Sequence, residues 1–190
     1  MSNAMKTTLA FVGIAAVAVS PALAHTGGVV TGFGAGVSHP VLGVDHLLAM
    51  VAVGLWSAAQ PREKAWQAPV LFVLLLAAGA GLGLAAMPLP FVEPGILASI
   101  FGLAVLLVAG RRIPSTFALT VIGIFALLHG HAHGAEAAGA IGAYMAGFLI
   151  TSAALHLTGY GVGRVLATTR HGLAASGLAV LTAGLVLAGG

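Results

Sequence analysis

His39-Pro40-Val41-Leu42-Gly43-Val44-Asp45-His46 sets two imidazoles and a carboxylate inside a run otherwise apolar enough to cross a bilayer. A charged group costs about 2.5–3.5 kcal/mol at the centre of a membrane helix on insertion scales, so ionisable residues there are read as functional before structural. A second segment, His129-Gly130-His131-Ala132-His133 with Glu136 close behind, repeats the pattern. The two segments hold five of the eight histidines and two of the four acids, so the chemistry of the chain is concentrated in them.

The surrounding composition fixes the solvent. With 59% hydrophobic and 6% charged residues and a mean hydropathy of +1.10, the chain falls outside the range of soluble domains and reads as a membrane protein whose first partner is the lipid bilayer. There is no cysteine, which excludes disulfides, thiolate metal sites and iron–sulfur clusters. Seven basic residues stand against four acids without a basic run, so no nucleic-acid partner is indicated.

Residues 1–4 read as an expression-vector scar ahead of a native Met5, and residues 5–24 as a signal peptide: Lys6, the apolar stretch Leu9 to Val19, then Pro21-Ala22-Leu23-Ala24 as cleavage site. An uncleaved first helix is the competing reading, disfavoured because that apolar stretch is short for a span. The remaining 25–190 form one all-α, polytopic domain. Apolar segments at 28–58, 66–87, 92–110, 114–133, 137–160 and 171–189 predict a bundle of six transmembrane helices. The first is too long for one straight span, so a kink or break is expected at Pro40, with a short outer helix or re-entrant arm leading into a main helix from about Leu42. Arg62 with Lys64, Arg111 with Arg112, and Arg164 with Arg170 fall in alternate connections. The positive-inside rule then makes those connections cytoplasmic and both mature termini periplasmic, in the bacterial inner membrane. Trp56 and Trp66 flank the first basic loop, where indoles favour the membrane interface.

Glycines repeat at four-residue spacing, Gly28/Gly32/Gly36, Gly79/Gly83 and Gly159/Gly163, as expected where helix backbones approach closely in lipid. His39, Asp45 and His46 offer nitrogen and oxygen donors suited to a borderline divalent transition ion, or else an internal hydrogen-bond network in which Asp45 orients an imidazole. Met50, four residues on, either adds a thioether or packs. His129 and His133 share a helix face, which Glu136 extends, whereas His131 joins them only if the helix end unwinds; the alternative is a histidine-rich terminus open to the periplasm. His156 lies deeper, as an interhelical hydrogen-bonder or a step on a metal path. After cleavage His25 presents an α-amine and an imidazole together, as a capture point or as an ordinary first residue. Ordered by depth, these groups form a column from outside to inside, which describes a permeation path better than a closed structural site.

The stretch His39 to Trp56, His-Pro-Val-Leu-Gly-Val-Asp-His-Leu-Leu-Ala-Met-Val-Ala-Val-Gly-Leu-Trp, resembles the signature of the HupE/UreJ family, and Leu128 to Glu136 is similar to that family's second motif. The resemblance covers essentially the whole mature chain. It implies a nickel or cobalt permease of the inner membrane, linked to metal supply for hydrogenase or urease. It implies His39, Asp45 and His46 as one set of metal residues and His129, His131, His133 and Glu136 as the other. No permanently bound cofactor is implied, the ion being transported Ni2+ or Co2+.

Lys64 is the lone lysine after residue 24 and no Gly-rich phosphate loop precedes it, so this polypeptide carries no Walker-type ATPase. Transport would be passive or secondary. The rival classes are a membrane metalloenzyme or haem-binding protein, and a non-transporting metal sensor or accessory subunit. No Cys-x-x-Cys-His motif and no nucleophile with its own base supports the first, so the chain is not read as an enzyme.

Overall fold

The computed structural model describes residues 32–189, all of whose regular elements are helical. The expected signal peptide and His25 lie outside the described residues. In chain order the helices are α1 (Phe33–Leu42), α2 (Val44–Ala58), α3 (Gln67–Leu84), α4 (Val92–Ala109), α5 (Ser115–Ala135), α6 (Ile141–Leu166) and α7 (Gly172–Gly189). Helices α3 to α7 are each long and apolar enough to cross a membrane, and the bent pair α1–α2 passes the same test when taken together as one broken span, for up to six. Large apolar side chains such as Leu74 and Leu157, 63% and 70% exposed, face outward, as lipid contact requires.

The first span breaks, but not at Pro40. The bend is 81° and sits at Gly43, whose extended φ/ψ of −74° and 104° ends α1 and caps α2. Pro40 is accommodated inside α1, in its last turn, where its missing N–H leaves only one ladder position open. The first span therefore opens with a short helix laid across the start of α2, close to the expected arm and main helix. The fifth span also moves, from 137–160 to α6, because the turn around Gly139 (φ 75°) takes up the first residues and Gly159 and Gly163 stay helical where they pack on α2.

Glycine sets the crossings. A Cβ on Gly79 or Gly83 of α3 would run into the Leu127 or His131 carbonyl of α5, and one on Gly130 or Gly134 of α5 into the Leu76 or Ala80 carbonyl of α3. Gly54 and Gly159 clasp α2 to α6 in the same way, and Gly36 and Gly147 clasp α1 to α6. Helix α6 thus holds the bent pair while α3 holds α5. Between them lies a core that includes Leu55, Phe72, Leu76, Ile122 and Phe148.

Trp66 is 59% exposed and its indole N–H donates to the Glu63 carbonyl at 2.8 Å, as an interfacial tryptophan does. Trp56 departs from the same expectation. It is 2% exposed and belongs to the core, because α2 is the central helix and is covered on all sides even near its end. Met50 is fully buried there and packs. The ends of α2, α4 and α6 meet the start of α7 around a cavity of about 580 Å3 lined by Arg111, Arg112 and Arg170. The basic loops therefore share one end of the bundle, and the start of α2 with the end of α5 lies at the other.

Candidate metal centre

The end opposite the arginines gathers histidines from three helices. His39 comes from α1, His46 from the first turn of α2, and His129 and His133 from the last turns of α5. Gly43 carries His39 and His46 to the same point by turning the chain through its bend. Gly130 and Gly134 do the same for His129 and His133 by letting α5 press against α3.

The imidazoles form a continuous stack. Ring centroids lie 4.7 Å apart for His39–His133, 4.3 Å for His46–His133 and 4.8 Å for His46–His129, all edge to face. His133 Nε2 and His46 Nδ1 are 3.0 Å apart and share one proton in a hydrogen bond. Exposure falls along the stack: the Glu136 and His39 side chains are 55% and 38% exposed, while His46 is 8% exposed and His129 and His133 are fully covered. The mouth and the interior of the site are thereby distinguished.

At the mouth His39 Nε2 lies 3.0 Å from Glu136 Oε2. This hydrogen bond to His39 holds the Glu136 carboxyl below its ordinary value, against a smaller opposing effect of partial burial. Asp45, in the first turn of α2, accepts the His46 backbone N–H at 2.8 Å. Its Oδ1 also stands 4.0 Å from His46 Nε2, so the carboxylate serves the helix N-terminus and faces the cluster at once.

His129 Nδ1 lies 2.9 Å from the Phe125 carbonyl and must be its N–H donor. That fixes the neutral tautomer and leaves Nε2 as a bare basic nitrogen, buried without a partner among the described residues. Fixing one imidazole nitrogen with a carbonyl so that the other can ligate is the usual outer-shell arrangement of metal-binding histidines. A buried polar atom left bare costs about 1–3 kcal/mol, so retention of this one has to be accounted for. Among the described residues, however, no three His, Asp or Glu side chains already form a coordination shell. The rings hold one another instead, and an ion would have to open the His46–His133 hydrogen bond.

His131 stands apart. Its Nε2–H donates to the Met87 carbonyl at 2.8 Å, in the connection between α3 and α4, because α5 stays helical through Gly130 and turns this ring away from the other two. His156 is not in the stack either. It lies one layer deeper on α6, 1% exposed, with neither ring nitrogen partnered. Three residues that the sequence did not single out also touch the site: Tyr144, whose hydroxyl is 3.5 Å from His133 Nδ1, Phe148, whose ring stacks at 4.0 Å on His133, and Phe72, whose ring lies 5.9 Å from His129. A tyrosine in an apolar helix, one of two in the chain, is the signal that could have drawn attention to the first.

Comparison with known proteins agrees with the two motifs. The family model described as HupE / UreJ protein matches residues 12–187. The chain belongs to the HupE/UreJ family. It is 39% identical over 187 residues to "Protein HupE" of Rhizobium leguminosarum bv. viciae, an alignment covering 97% of this chain and 93% of that relative. No solved structure matches.

Proposed function

We propose that this member of the family is a permease that carries Ni2+ or Co2+ inward across the bacterial inner membrane, by a passive or secondary mechanism and not as an enzyme. The observation that carries the reading is the stack of four imidazoles, drawn from three helices, that runs from an exposed mouth into the buried interior and includes the bare Nε2 of His129. Nitrogen donors with a few carboxylate oxygens suit a borderline divalent ion, and the resemblance of the two motifs narrows this to nickel or cobalt destined for hydrogenase or urease.

In this reading 5–24 is removed as a signal peptide, 25–190 is the transport domain with both termini periplasmic, and His25 offers its amine and imidazole as a capture point on the periplasmic side. The ion meets His39 and Glu136 first. It then opens the hydrogen bond between His46 and His133, the donor ring carrying its proton on its other nitrogen so that both rings stay neutral, and reaches His129. Glu136 and Asp45 supply two negative charges to offset the dication, and every imidazole that ligates must be neutral, so binding competes with protons. His131, turned toward Met87, serves the loop above the site rather than the ion. An inside-negative potential supplies about 4.6 kcal/mol per 100 mV for a dication, roughly three decades of concentration ratio.

Uptake of radioactive nickel and cobalt into proteoliposomes tests the reading. Wild-type protein is expected to transport at least one of the two ions and His46→Ala to lose that transport. Folded wild-type protein that moves neither ion would end the permease reading, and undiminished uptake by His46→Ala would remove His46 from the path.

A further inference from the structure

His156 sits in the middle of α6 with both ring nitrogens buried and, among the described residues, unpartnered. The bland roles for a membrane histidine do not fit it. An interhelical hydrogen bond needs a partner and among the described residues there is none; Ser152, one turn away, gives its proton to the Phe148 carbonyl of its own helix at 2.8 Å. Simple packing would be met better by leucine, which fills similar volume and leaves no polar atom bare.

Its surroundings place it in line with the outer stack. The Phe72 ring of α3 contacts His156 at a centroid distance of 4.9 Å and His129 at 5.9 Å. Two imidazoles with bare nitrogens thus flank one aromatic ring, His129 on the side of the mouth and His156 on the side of the arginines. Beside His156 an open groove of about 310 Å3, lined also by Arg62, Trp66, Leu157 and Tyr160, runs along the outward side of the bundle to the first basic loop. A ligand nitrogen at this depth shortens the step that a dehydrated cation must make without a donor.

We infer that His156 is an inner coordination point for the divalent transition ion, reached from His129 past Phe72 and lying between the outer histidine stack and the basic end of the bundle. This rests on the permease reading, and the two fail in different ways.

The full chain is reconstituted in proteoliposomes as wild type, His156→Leu and His156→Cys, and three quantities are read: uptake of Ni2+, Co2+, Zn2+ and Cd2+, nickel affinity in detergent, and thermal unfolding. His156→Leu is expected to keep the outer-site affinity and an unchanged or raised melting temperature while uptake falls by about tenfold or more, the low end of what loss of a metal-site group costs. His156→Cys, the one thiol in the chain, is expected to regain part of the transport with a preference shifted toward the thiophilic ions Zn2+ and Cd2+, a change that a packing role would not produce. Wild-type uptake by His156→Leu overturns the inference and leaves the outer site standing. A lowered melting temperature together with lost outer-site affinity in His156→Leu, or no shift in ion preference in His156→Cys, overturns it in favour of a structural role. Absence of uptake by the wild type defeats the permease reading itself.

Discussion

The contact between His39 Nε2 and Glu136 Oε2 closes the mouth of the histidine stack at 3.0 Å, and it couples the Glu136 carboxylate to the stability of that end. Because the Glu136 pKa is lowered in the folded protein, chiefly by the hydrogen bond to His39, its contribution to stability is fully present above the unfolded-state value and is lost as pH falls through the lowered folded value. Thermal unfolding of wild type and Glu136→Gln should therefore differ just above the ordinary carboxylate value of 4.5 and converge in more acid solution. A difference that persists there would contradict the pairing. The motif residues themselves were legible in the sequence, since ionisable groups are costly in an apolar run and stand out from it without any knowledge of packing. Tyr144 and Phe72 were not, because an aromatic residue in a membrane helix looks alike whether it faces lipid, core or ligand, and only the register between helices decides. Register also sets His131 apart from the other rings, on a backbone carbonyl 44 residues away.

At the scale of the helix, the sequence located the break in the first span to within three residues and named the wrong one. Proline is the stronger breaker on local grounds. Here Gly43 takes the bend because its extended backbone both ends α1 and caps α2, which lets His39 come back onto His46. The small-residue spacing in α3 and α6 was read correctly as close packing, yet its consequence for the site appears only in pairs: Gly79 and Gly83 against Gly130 and Gly134 set how deeply His129 and His133 enter the bundle. Gly130→Ala should push α5 from the Leu76 carbonyl, with a loss of about 1–3 kcal/mol from overpacking and a parallel loss of nickel affinity. Gly81→Ala, where an added Cβ meets nothing within 4 Å, should be neutral or gain about 0.5–1 kcal/mol in helix propensity. Paired denaturation and metal titration check both, and equal behaviour of the two variants would rule out the crossing as what positions the histidines.

Across the whole molecule the arrangement is polar. The arginines meet at one end of the bundle and the histidine stack opens at the other, with His129, Phe72 and His156 between them. The span count and this polarity were legible because apolar length and loop charge are one-dimensional properties that can be read along the chain before any helix is packed. Which histidines meet was not, since His46 and His133 are 87 residues apart in sequence and 3.0 Å apart in space. Their meeting is the central claim, and X-ray absorption at the nickel edge addresses it most directly. Protein loaded with about one equivalent of Ni2+ should show a nitrogen and oxygen shell with the multiple-scattering signature of several imidazoles, kept in His131→Ala and reduced in His46→Ala and His129→Gln. A spectrum without imidazole scattering, or one unchanged by both of the latter substitutions, would contradict the account.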